Sequence, residues 1–363
     1  MPDPALLLQV CPNDNPPFGD ICRYYQAAAA ALGWETLTVM LEPRAPTPDP
    51  AFHYLGRDLS RQLGDRLRGR RPALTLCHRY RAYRAVSASG LAQAPLVVVA
   101  HEYGLLTPRR RRLRLRADAL MRRPGPRFAG VSRAVSDELA HWCGHAELLP
   151  NGLDLARCDA GRLTPDQARE ALALPAAGFH IGVVGRLHPK KDPLLAVAGF
   201  RAALTRRRPG APEPDAGMRL TLLGDGPLKP QVAAAAAGLP VDVKGFVADA
   251  ARCMAAFDLL LLPSGDREAF GMVALEAMAA GVPVLCGPAP GPRFVLGDTG
   301  LQFDPHTADA LADALVAARA AAATGALAEL ARRARLRVEQ TFSVDAGARR
   351  LAALAAGQSP VER

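Results

Sequence analysis

The sequence has no apolar run that approaches the roughly 18 residues required by a membrane-spanning helix. Its start, MPDPALLLQV, contains no basic leader, and its apolar stretch is shorter than that of a signal peptide. The seven cysteines form no CxxC pair and are odd in number, which argues against a disulfide framework or a zinc site. Together these absences predict a cytoplasmic protein in a reducing compartment.

Aromatic residues are also scarce. They make up 5% of the 363 residues, and no RNA-recognition stacking motif is present. We therefore expect no nucleic-acid partner, although the net charge of +10 keeps a basic nucleic-acid-binding protein open as an alternative.

The positive charge is concentrated in the N-terminal part of the chain. Residues 1–150 contain 21 arginines, no lysine and 13 acidic residues, a net charge of +8, whereas the remainder carries only +2. Such a surplus favours an anionic partner, for example a phosphorylated substrate, a membrane surface or a nucleic acid. The N-terminal half is therefore the expected binding region for an anionic ligand.

The chain length suits two domains of about 150 to 180 residues each. Short apolar runs alternate with helical patterns in two series, separated by a break between about Pro150 and Phe179. This alternation predicts two α/β domains with parallel, doubly wound sheets in residues 1–160 and 161–340, and one more helix in residues 341–363. The predicted strands are Leu6–Val10, Thr36–Leu41, Leu74–Cys77, Leu96–Ala100, Phe128–Val131, His180–Val184, Leu220–Leu223, Leu259–Leu262 and Val282–Cys286.

The most informative segment, DLLLLPSGDREAFGMVALEAMAAGVP, runs from Asp258 to Pro283. An apolar strand leads into a polar loop with Glu268, and a helix then follows with Glu276 near its N-terminus. A carboxylate there can accept two hydrogen bonds from a ribose diol, but any helix N-terminus favours acidic residues through its dipole. The backbone N–H groups suited to sugar hydroxyls or phosphate oxygens belong to Phe270, Gly271 and Met272.

Three further segments follow predicted strands in the same half of the chain. The guanidinium of Arg186 offers a fork of hydrogen-bond donors, and Lys191 just beyond it offers a point charge, so the two together suit a diphosphate. A basic loop that is simply exposed to solvent would have the same composition. Gly224 lies in a tight turn, LLGDGP, where a ligand can approach the backbone. Phe246, in KGFV, lies where a nucleobase can meet the main chain.

In this order and spacing, GRLHPKK, LLGDGPL, KGFVAD and PSGDREAFGMVALEAMAAGVPV closely resemble the motifs of family 4 of the retaining glycosyltransferases, which have the GT-B fold. The resemblance is strong over about residues 147–305 and weaker over the N-terminal half, through LLPNGLD and AGVSRAVSDEL. Asp192 departs from it, because the family usually has glycine there. Gly19 is a single glycine in NPPFGD, where many members have a pair.

The resemblance implies two Rossmann-like domains that face each other across a cleft, an N-terminal acceptor domain and a C-terminal donor domain, with the last helix packing back toward the first. It implies a hexosyltransferase that moves sugar from a UDP- or GDP-sugar to a saccharide or glycolipid acceptor with retention of configuration. The implied process is cell-envelope polysaccharide or lipopolysaccharide synthesis, such as that of the bacterial lipopolysaccharide core. A nucleotide-sugar epimerase on the same fold remains the alternative.

The resemblance also implies a role for each matched residue of the donor domain. Arg186 and Lys191 would bind the diphosphate and stabilise its departure. Glu276 would bind the ribose, and Glu268 would contact the sugar at the reacting centre. The sequence has no D-x-D motif, so we expect no metal ion and no cofactor beyond the nucleotide-sugar co-substrate.

In the N-terminal half, the resemblance places His101 toward the donor sugar, with Glu102 as a second candidate. A packed or hydrogen-bonded histidine at a strand end would fit His101 equally well. Gly19 and Asp20 are expected to approach the diphosphate or the acceptor, and Ser132 fits a plain helix N-cap.

The segment from Arg109 to Arg123 contains eight arginines in 15 residues. A solvated helix face explains this composition. A docking surface for an anionic glycolipid or for the inner membrane leaflet explains it as well, because each basic residue near such a surface contributes about 1 kcal/mol. The docking hypothesis predicts a peripheral position on the cytoplasmic face of the inner membrane. Its candidate residues are Arg109, Arg110, Arg111 and Arg112.

Overall fold

The computed structural model describes residues 4–15, 17–42, 49–55, 59–88, 95–121, 125–206 and 217–360. The chain forms two compact units: unit 1 comprises Met1–Asp154 and Thr341–Arg363, and unit 2 comprises Leu155–Gln340. In the described residues, each unit is built on one parallel sheet, with seven strands in unit 1 and six in unit 2. The prediction of two parallel α/β domains is therefore confirmed.

Unit 1 has the strand order β3-β2-β1-β4-β5-β6-β7. Its strands are β1 (Leu6–Asn13), β2 (Glu35–Glu42), β3 (His53–Tyr54), β4 (Leu74–His78), β5 (Leu96–Ala100), β6 (Arg127–Gly130) and β7 (Glu147–Leu148). The helices between them are α1 (Phe18–Ala31), α2 (Leu59–Leu67), α3 (Arg79–Ala88), α4 (Arg109–Met121) and α5 (Arg133–Cys143). Strands β4 and β5 are buried along their whole length, because helices cover both faces of a parallel sheet.

Unit 2 has the strand order β10-β9-β8-β11-β12-β13. Its strands are β8 (Phe179–Val184), β9 (Met218–Leu223), β10 (Val241–Gly245), β11 (Leu259–Leu262), β12 (Val284–Cys286) and β13 (Leu301–Gln302). Its helices are α6 (Leu155–Gly161), α7 (Pro165–Ala171), α8 (Pro193–Thr205), α9 (Lys229–Ala236), α10 (Met272–Ala279), α11 (Pro290–Leu296), α12 (Ala308–Ala323) and α13 (Ala326–Thr341).

Helices α8 and α12 cover the sheet of unit 2. Gly199 of α8 lets them approach closely, because a Cβ atom at this glycine would lie 2.5 Å from Leu311 of α12. Leu311, Leu315 and Phe200 are fully buried in the resulting core. Within the described residues, no single helix has both the length and the composition of a membrane span; Ala308–Ala323 and Ala326–Ala355 meet that criterion only as a bent pair.

Three details of unit 2 lie beyond the sequence prediction. Gly325 interrupts the Ala-rich helical stretch between α12 and α13, and its φ of +78° suits the left-handed end of a helix. The break in the strand–helix alternation between Pro150 and Phe179 contains α6 and α7 and no strand. Helix α10 begins at Met272, directly after Gly271.

The last helix, α14 (Val344–Ala355), belongs to unit 1 and packs against α1. Tyr24 of α1 is fully buried at this contact, and its hydroxyl donates a hydrogen bond to the Ser343 carbonyl at 3.3 Å. Gly347 lies directly against the same ring: a Cβ atom there would be 2.4 Å from the Tyr24 hydroxyl. The close approach of α14 therefore depends on the absence of a side chain at Gly347.

We expect Gly347→Ala to lower the free energy of unfolding of unit 1 by about 1–3 kcal/mol, because overpacking outweighs the better helix propensity of alanine. Gly64→Ala in α2 is the matched control, since nothing lies within 4 Å of a Cβ atom at that helical glycine. The control should raise stability by about 0.5–1 kcal/mol. Urea denaturation of both variants measures the difference, and equal stabilisation by the two would contradict the packing of α14.

Candidate functional site

An ion pair lies at the point where the strand order of unit 2 reverses, between β8 and β11. Lys191, beyond the end of β8, donates a hydrogen bond from Nζ to Oε2 of Glu268, beyond the end of β11, at 2.5 Å. The two side chains are 28% and 15% exposed. The buried hydroxyl of Ser264 lies 3.5 Å from the same carboxylate oxygen. In open α/β sheets this reversal point is where ligands bind.

Lys191 is positioned by a short 3-10 turn, Pro189–Lys191, that ends at Asp192. Asp192 has left-handed backbone angles, with φ at +43°, and its carboxylate accepts a hydrogen bond from Leu195 N at the start of α8. Glycine adopts this conformation without strain, and aspartate tolerates it better than most residues. Asp192 therefore has a backbone conformation that would suit the glycine usually found at this position in the family.

Glycines hold the loops after β8 and β9 close together. Gly185 and Gly224 have φ of +145° and +149°, and a Cβ atom at Gly224 would lie 1.9 Å from the Gly185 carbonyl oxygen. At Gly226 a Cβ atom would lie 2.5 Å from the carbonyl oxygen of Leu187. Arg186 lies between these contacts with an exposed side chain. The backbone around Arg186 is thus held firmly while its guanidinium remains accessible.

Phe246 follows β10 and is 80% exposed. The preceding residue, Gly245, has φ at +76°, and its carbonyl accepts a hydrogen bond from Gly224 N at 2.7 Å. An aromatic ring that remains in water has not used its hydrophobic surface for folding. That surface is available for stacking against a planar ligand at this edge of the sheet.

The loop after β11 leads into α10. Gly271 is the residue before the helix, with φ at +91°, and its carbonyl accepts a hydrogen bond from Ala274 N at 3.0 Å. Phe270 is buried, and its ring packs 6.4 Å from that of Phe294. Glu276 is half-buried and occupies the fifth position of the eight-residue helix, just beyond its first turn. Because the effect of the helix dipole falls off within the first turn, it stabilises the Glu276 carboxylate only weakly.

His306 was missed by the sequence analysis. Its Nε2 atom lies 2.7 Å from the Pro263 carbonyl oxygen after β11, and its ring stacks on Phe303 at 6.0 Å. Nε2 is also 3.9 Å from a carboxylate oxygen of Asp192. The strand before it, β13, has only two residues, so no apolar run in the sequence marked this histidine as following a strand.

In unit 1, two histidines form a pair at the ends of neighbouring strands. Nδ1 of His78, the last residue of β4, lies 2.9 Å from Nε2 of His101, which follows β5. Burial lowers the pKa of His78 to about 3. Burial, and then His78 and Arg79, hold the pKa of His101 well below its usual range. Both rings are therefore neutral near pH 7, and His101 can act there as a hydrogen-bonding group rather than as a cation.

The remaining N-terminal candidates lie near this pair or apart from it. Phe18, next to Gly19, packs edge-on against His101 with ring centroids 5.2 Å apart. A Cβ atom at Gly19 would make only ordinary contacts of 3.5 Å or more. Asp20 is exposed and pairs with Arg23 at 3.0 Å. Ser132 precedes α5 as predicted, but its buried hydroxyl forms no hydrogen bond with the helix.

A cavity of about 330 Å³ opens beside His101 in unit 1. Glu102 at its wall is exposed and pairs with Arg79 at 3.2 Å. The basic side chains in its lining are Arg79, Arg81, Arg84 and Arg111. Three of these belong to α3, which sequence analysis did not connect to the site because they are separated from the long arginine run. The cavity therefore offers several cations next to a neutral histidine.

The four arginines predicted as a docking surface divide into two pairs at the start of α4. Arg109 and Arg110 are exposed to solvent. Arg111 lies over the Tyr80 ring at 5.0 Å and donates to the Leu105 carbonyl, whereas Arg112 lies over Trp142 at 3.9 Å and donates to the Leu106 carbonyl. The second pair thus also contributes to packing. Arg122 and Arg123 lie outside the described residues.

Comparison with known sequences identifies a domain within unit 2. Residues 178–320, which contain all six of its strands, match the family described as glycosyl transferases group 1, so this segment is a domain of that group. The D-inositol 3-phosphate glycosyltransferase of Arthrobacter sp. (strain FB24) is 33% identical over 192 residues, or 48% of this chain and 41% of that protein. The chain thus spans less than half the length of this curated relative.

Comparison with solved structures covers both units. The glycosyltransferase from Rickettsia africae ESF-5 superposes with a TM-score of 0.76 at 16% identity, over 98% of each chain. Anabaena Alr3699/HepE, solved in complex with UDP-glucose, gives a TM-score of 0.74 at 20% identity, over 97% of this chain and 99% of that chain. These likenesses show the fold, which is that of the GT-B glycosyltransferases.

The Lys191–Glu268 pair can be tested by its contribution to stability. We expect Lys191→Met and Glu268→Gln each to lower the free energy of unfolding of unit 2 by about 1–2 kcal/mol, because each leaves a partly buried charge without its partner. The double variant should lose about 1 kcal/mol less than the sum of the two. A double-mutant cycle by urea denaturation measures this coupling.

The exposed pair of Arg332 and Glu329 on α13 is the control for that cycle. Its side chains are 62% and 55% exposed, so solvent screens their attraction and the coupling should not exceed about 0.5 kcal/mol. Additive effects of Lys191→Met and Glu268→Gln would show that the two side chains do not interact in solution.

Proposed function

We propose that this chain is a glycosyltransferase that moves a hexosyl group from a nucleotide sugar to an anionic saccharide or glycolipid acceptor, with retention of anomeric configuration. The observation that carries the proposal is the Lys191–Glu268 pair at the strand reversal of unit 2, inside the segment that matches glycosyl transferases group 1. We place the donor in unit 2 and the acceptor in unit 1.

In the donor half, the ion pair suggests how binding and chemistry are connected. Before the donor binds, Lys191 neutralises Glu268. A donor diphosphate would share the Lys191 ammonium and the nearby Arg186 guanidinium, which lets the Glu268 carboxylate accept hydrogen bonds from sugar hydroxyls. As the bond between the anomeric carbon and the diphosphate oxygen breaks, the two cations stabilise the charge on the leaving group. No metal ion is needed for this step in the proposal.

The other predicted donor residues fit roles around this centre. The exposed ring of Phe246 would stack on the base, and Glu276 would accept hydrogen bonds from the ribose. Backbone N–H groups at Gly271 and Met272 would meet phosphate or sugar oxygens. UDP-sugars and GDP-sugars are both donors to test, because the Anabaena structure contains UDP-glucose and a mycobacterial relative, 42% identical over 76 residues, is named GDP-mannose-dependent.

The acceptor half rests on the cavity beside His101. Its four arginines favour a phosphorylated or carboxylated acceptor, and the name of the Arthrobacter relative, an inositol 3-phosphate glycosyltransferase, agrees with an anionic acceptor. Nε2 of His101 is engaged by His78, so the neutral His101 would orient a sugar hydroxyl through Nδ1, which is buried and has no hydrogen-bond partner among the described residues. A phosphorylated intermediate of lipopolysaccharide core synthesis has the required charge, and we propose such a glycolipid at the cytoplasmic face of the inner membrane.

Two other functions are less well supported. A nucleotide-sugar epimerase would convert its donor without an acceptor, whereas the basic cavity of unit 1 offers a second binding site. A nucleic-acid-binding protein would use several exposed aromatic rings for stacking, and among the described residues the exposed aromatic side chains are Phe246 and Trp142. Sugar transfer that requires an added acceptor distinguishes the proposal from both alternatives.

A thermal-shift screen of UDP-, GDP-, ADP- and CDP-sugars tests the donor site. A nucleotide sugar at about 100 times its Kd should add about 2.7 kcal/mol to stability and raise Tm by several degrees. Glu276→Gln should weaken that ligand by about tenfold or more, because it removes charge-assisted hydrogen bonds.

The control for the screen is Glu170→Gln, which changes an exposed carboxylate on α7 of the same unit and should leave the Kd unchanged. If no nucleotide sugar raises Tm of the wild-type protein, the donor assignment fails.

Co-sedimentation with vesicles tests the docking surface on α4. Binding to phosphatidylglycerol vesicles should exceed binding to phosphatidylcholine vesicles and should decrease with salt. The double variant Arg109→Gln, Arg110→Gln should lose about 1 kcal/mol per residue, which is about 30-fold in vesicle affinity overall. Arg332→Gln with Arg333→Gln on α13 is the control of equal charge change, and equal losses in both double variants would mean that the effect is one of net charge only.

A further inference from the structure

Two thiols and an imidazole meet inside unit 1, away from the surface. Cys11 lies in β1, Cys22 in α1 and His78 at the end of β4, and all three are fully buried. The two sulfur atoms are 3.5 Å apart, and a nitrogen of His78 lies within 4.8 Å of both. These distances fit three ligands around one ion, because metal–sulfur and metal–nitrogen bonds are about 2.0–2.3 Å long.

The imidazole of His78 provides a second, independent observation. Its Nδ1 atom is occupied by the hydrogen bond with His101, but its Nε2 atom is buried and has no hydrogen-bond partner among the described residues. Buried polar atoms in native proteins rarely lack a hydrogen-bond partner, and a bound metal ion is one partner that can accept the lone pair of a buried imidazole nitrogen. Nε2 is therefore the nitrogen available to a metal.

The surroundings of the three side chains favour a soft ion. Cys11 and Cys22 belong to a buried apolar cluster with Phe18, Met40 and Phe52, and Met40 adds a thioether side chain to it. The buried side-chain amide of Gln9 donates a hydrogen bond to the Cys22 carbonyl at 3.2 Å, which fixes the position of α1 at this residue. Thiolate and imidazole ligands in such a setting select Zn²⁺ or Cu⁺ and reject Mg²⁺ and Ca²⁺.

We propose that Cys11, Cys22 and His78 form a buried site for one thiophilic metal ion, Zn²⁺ or Cu⁺. On binding, each thiol releases its proton to solvent and the thiolate joins the ion, with no change in oxidation state. Among the described residues the group offers three ligands, a number that suits Cu⁺ better than Zn²⁺, which prefers four. The absence of a CxxC pair concealed this site in the sequence, since the three ligands come from separate elements.

The site has a consequence for His101 that rests on the proposed function. A metal on Nε2 of His78 requires the proton of that ring on Nδ1, which then donates to Nε2 of His101. The ion thereby fixes the tautomer of His101, with its own proton on Nδ1. His78 is in this account a positioning residue, and it touches neither donor nor acceptor.

Metal binding can be measured without any substrate. The titrations use a protein with the substitution Cys143→Ser, because Cys143 is an exposed cysteine near His145 that could bind metal on its own. Apo protein is titrated with Zn²⁺ against a chromophoric chelator, and with Cu⁺ against a copper(I) chelator under anaerobic, reducing conditions. We expect one equivalent of one or both ions to be retained on desalting, as determined by elemental analysis, whereas Mg²⁺ is not retained.

Cys11→Ala, Cys22→Ala and His78→Asn should each weaken binding by more than about 100-fold, because even changes in groups behind the ligands cost about 10–100-fold. Cys286→Ala, a buried cysteine of unit 2, is the control and should bind as tightly as the parent. Circular dichroism checks that each variant is folded. Co²⁺ absorption in the thiolate charge-transfer region provides a second reading, which the three ligand variants should abolish.

Failure to retain either ion would overturn the proposal, as would binding that survives in folded Cys11→Ala and Cys22→Ala proteins. A disulfide between Cys11 and Cys22 in freshly purified, metal-free protein, detected by mass spectrometry, would overturn it too. None of these results depends on nucleotide sugars. A protein that binds metal but no donor would refute the proposed function alone, and the reverse result would refute the metal site alone.

Discussion

Parallel pairing requires that all strands of a sheet end at the same edge, and the candidate chemistry of this protein depends on that constraint. Lys191 and Glu268 are far apart in the sequence, yet they follow β8 and β11, which are neighbours in the sheet. His78 and His101 follow β4 and β5 in the same way. In each unit, adjacent strand ends bring together two polar side chains that no local sequence pattern connects.

The strands that could be predicted well from the sequence are those that are buried on both faces of their sheet. Leu96–Ala100 and Leu259–Leu262 were predicted with their observed bounds, since strands covered on both faces are uninterrupted apolar runs. Strands β3, β7 and β13 have two residues each, too few to give a periodic signal. The interruption at Gly325 was missed because the alanines around it are compatible with continuous helix.

The candidate site was predictable only where its residues follow long strands. Glu268 and Lys191 could be placed at strand ends, but their contact could not, because the sequence does not specify which strands are neighbours. His78 was missed because the apolar run before it was assigned to a strand that ended one residue too early. The grouping of Cys11 with Cys22 depends on how α1 packs against β1, which the sequence spacing does not reveal. Similarly, composition alone could not separate Arg109 and Arg110, which are exposed, from Arg111 and Arg112, which also pack against aromatic rings.

In the sequence, the whole of unit 2 comes between α14 and the rest of unit 1. Unit 1 is therefore begun first during synthesis but cannot complete its fold until unit 2 has been made. A ribosome makes β1 to β7 first, but Tyr24 has no α14 to pack against until residues 344–355 have emerged. Unit 2 has by then left the ribosome with all of its strands. The half of the chain that is translated first is therefore finished last, and its α1 face stays uncovered throughout the translation of the other half.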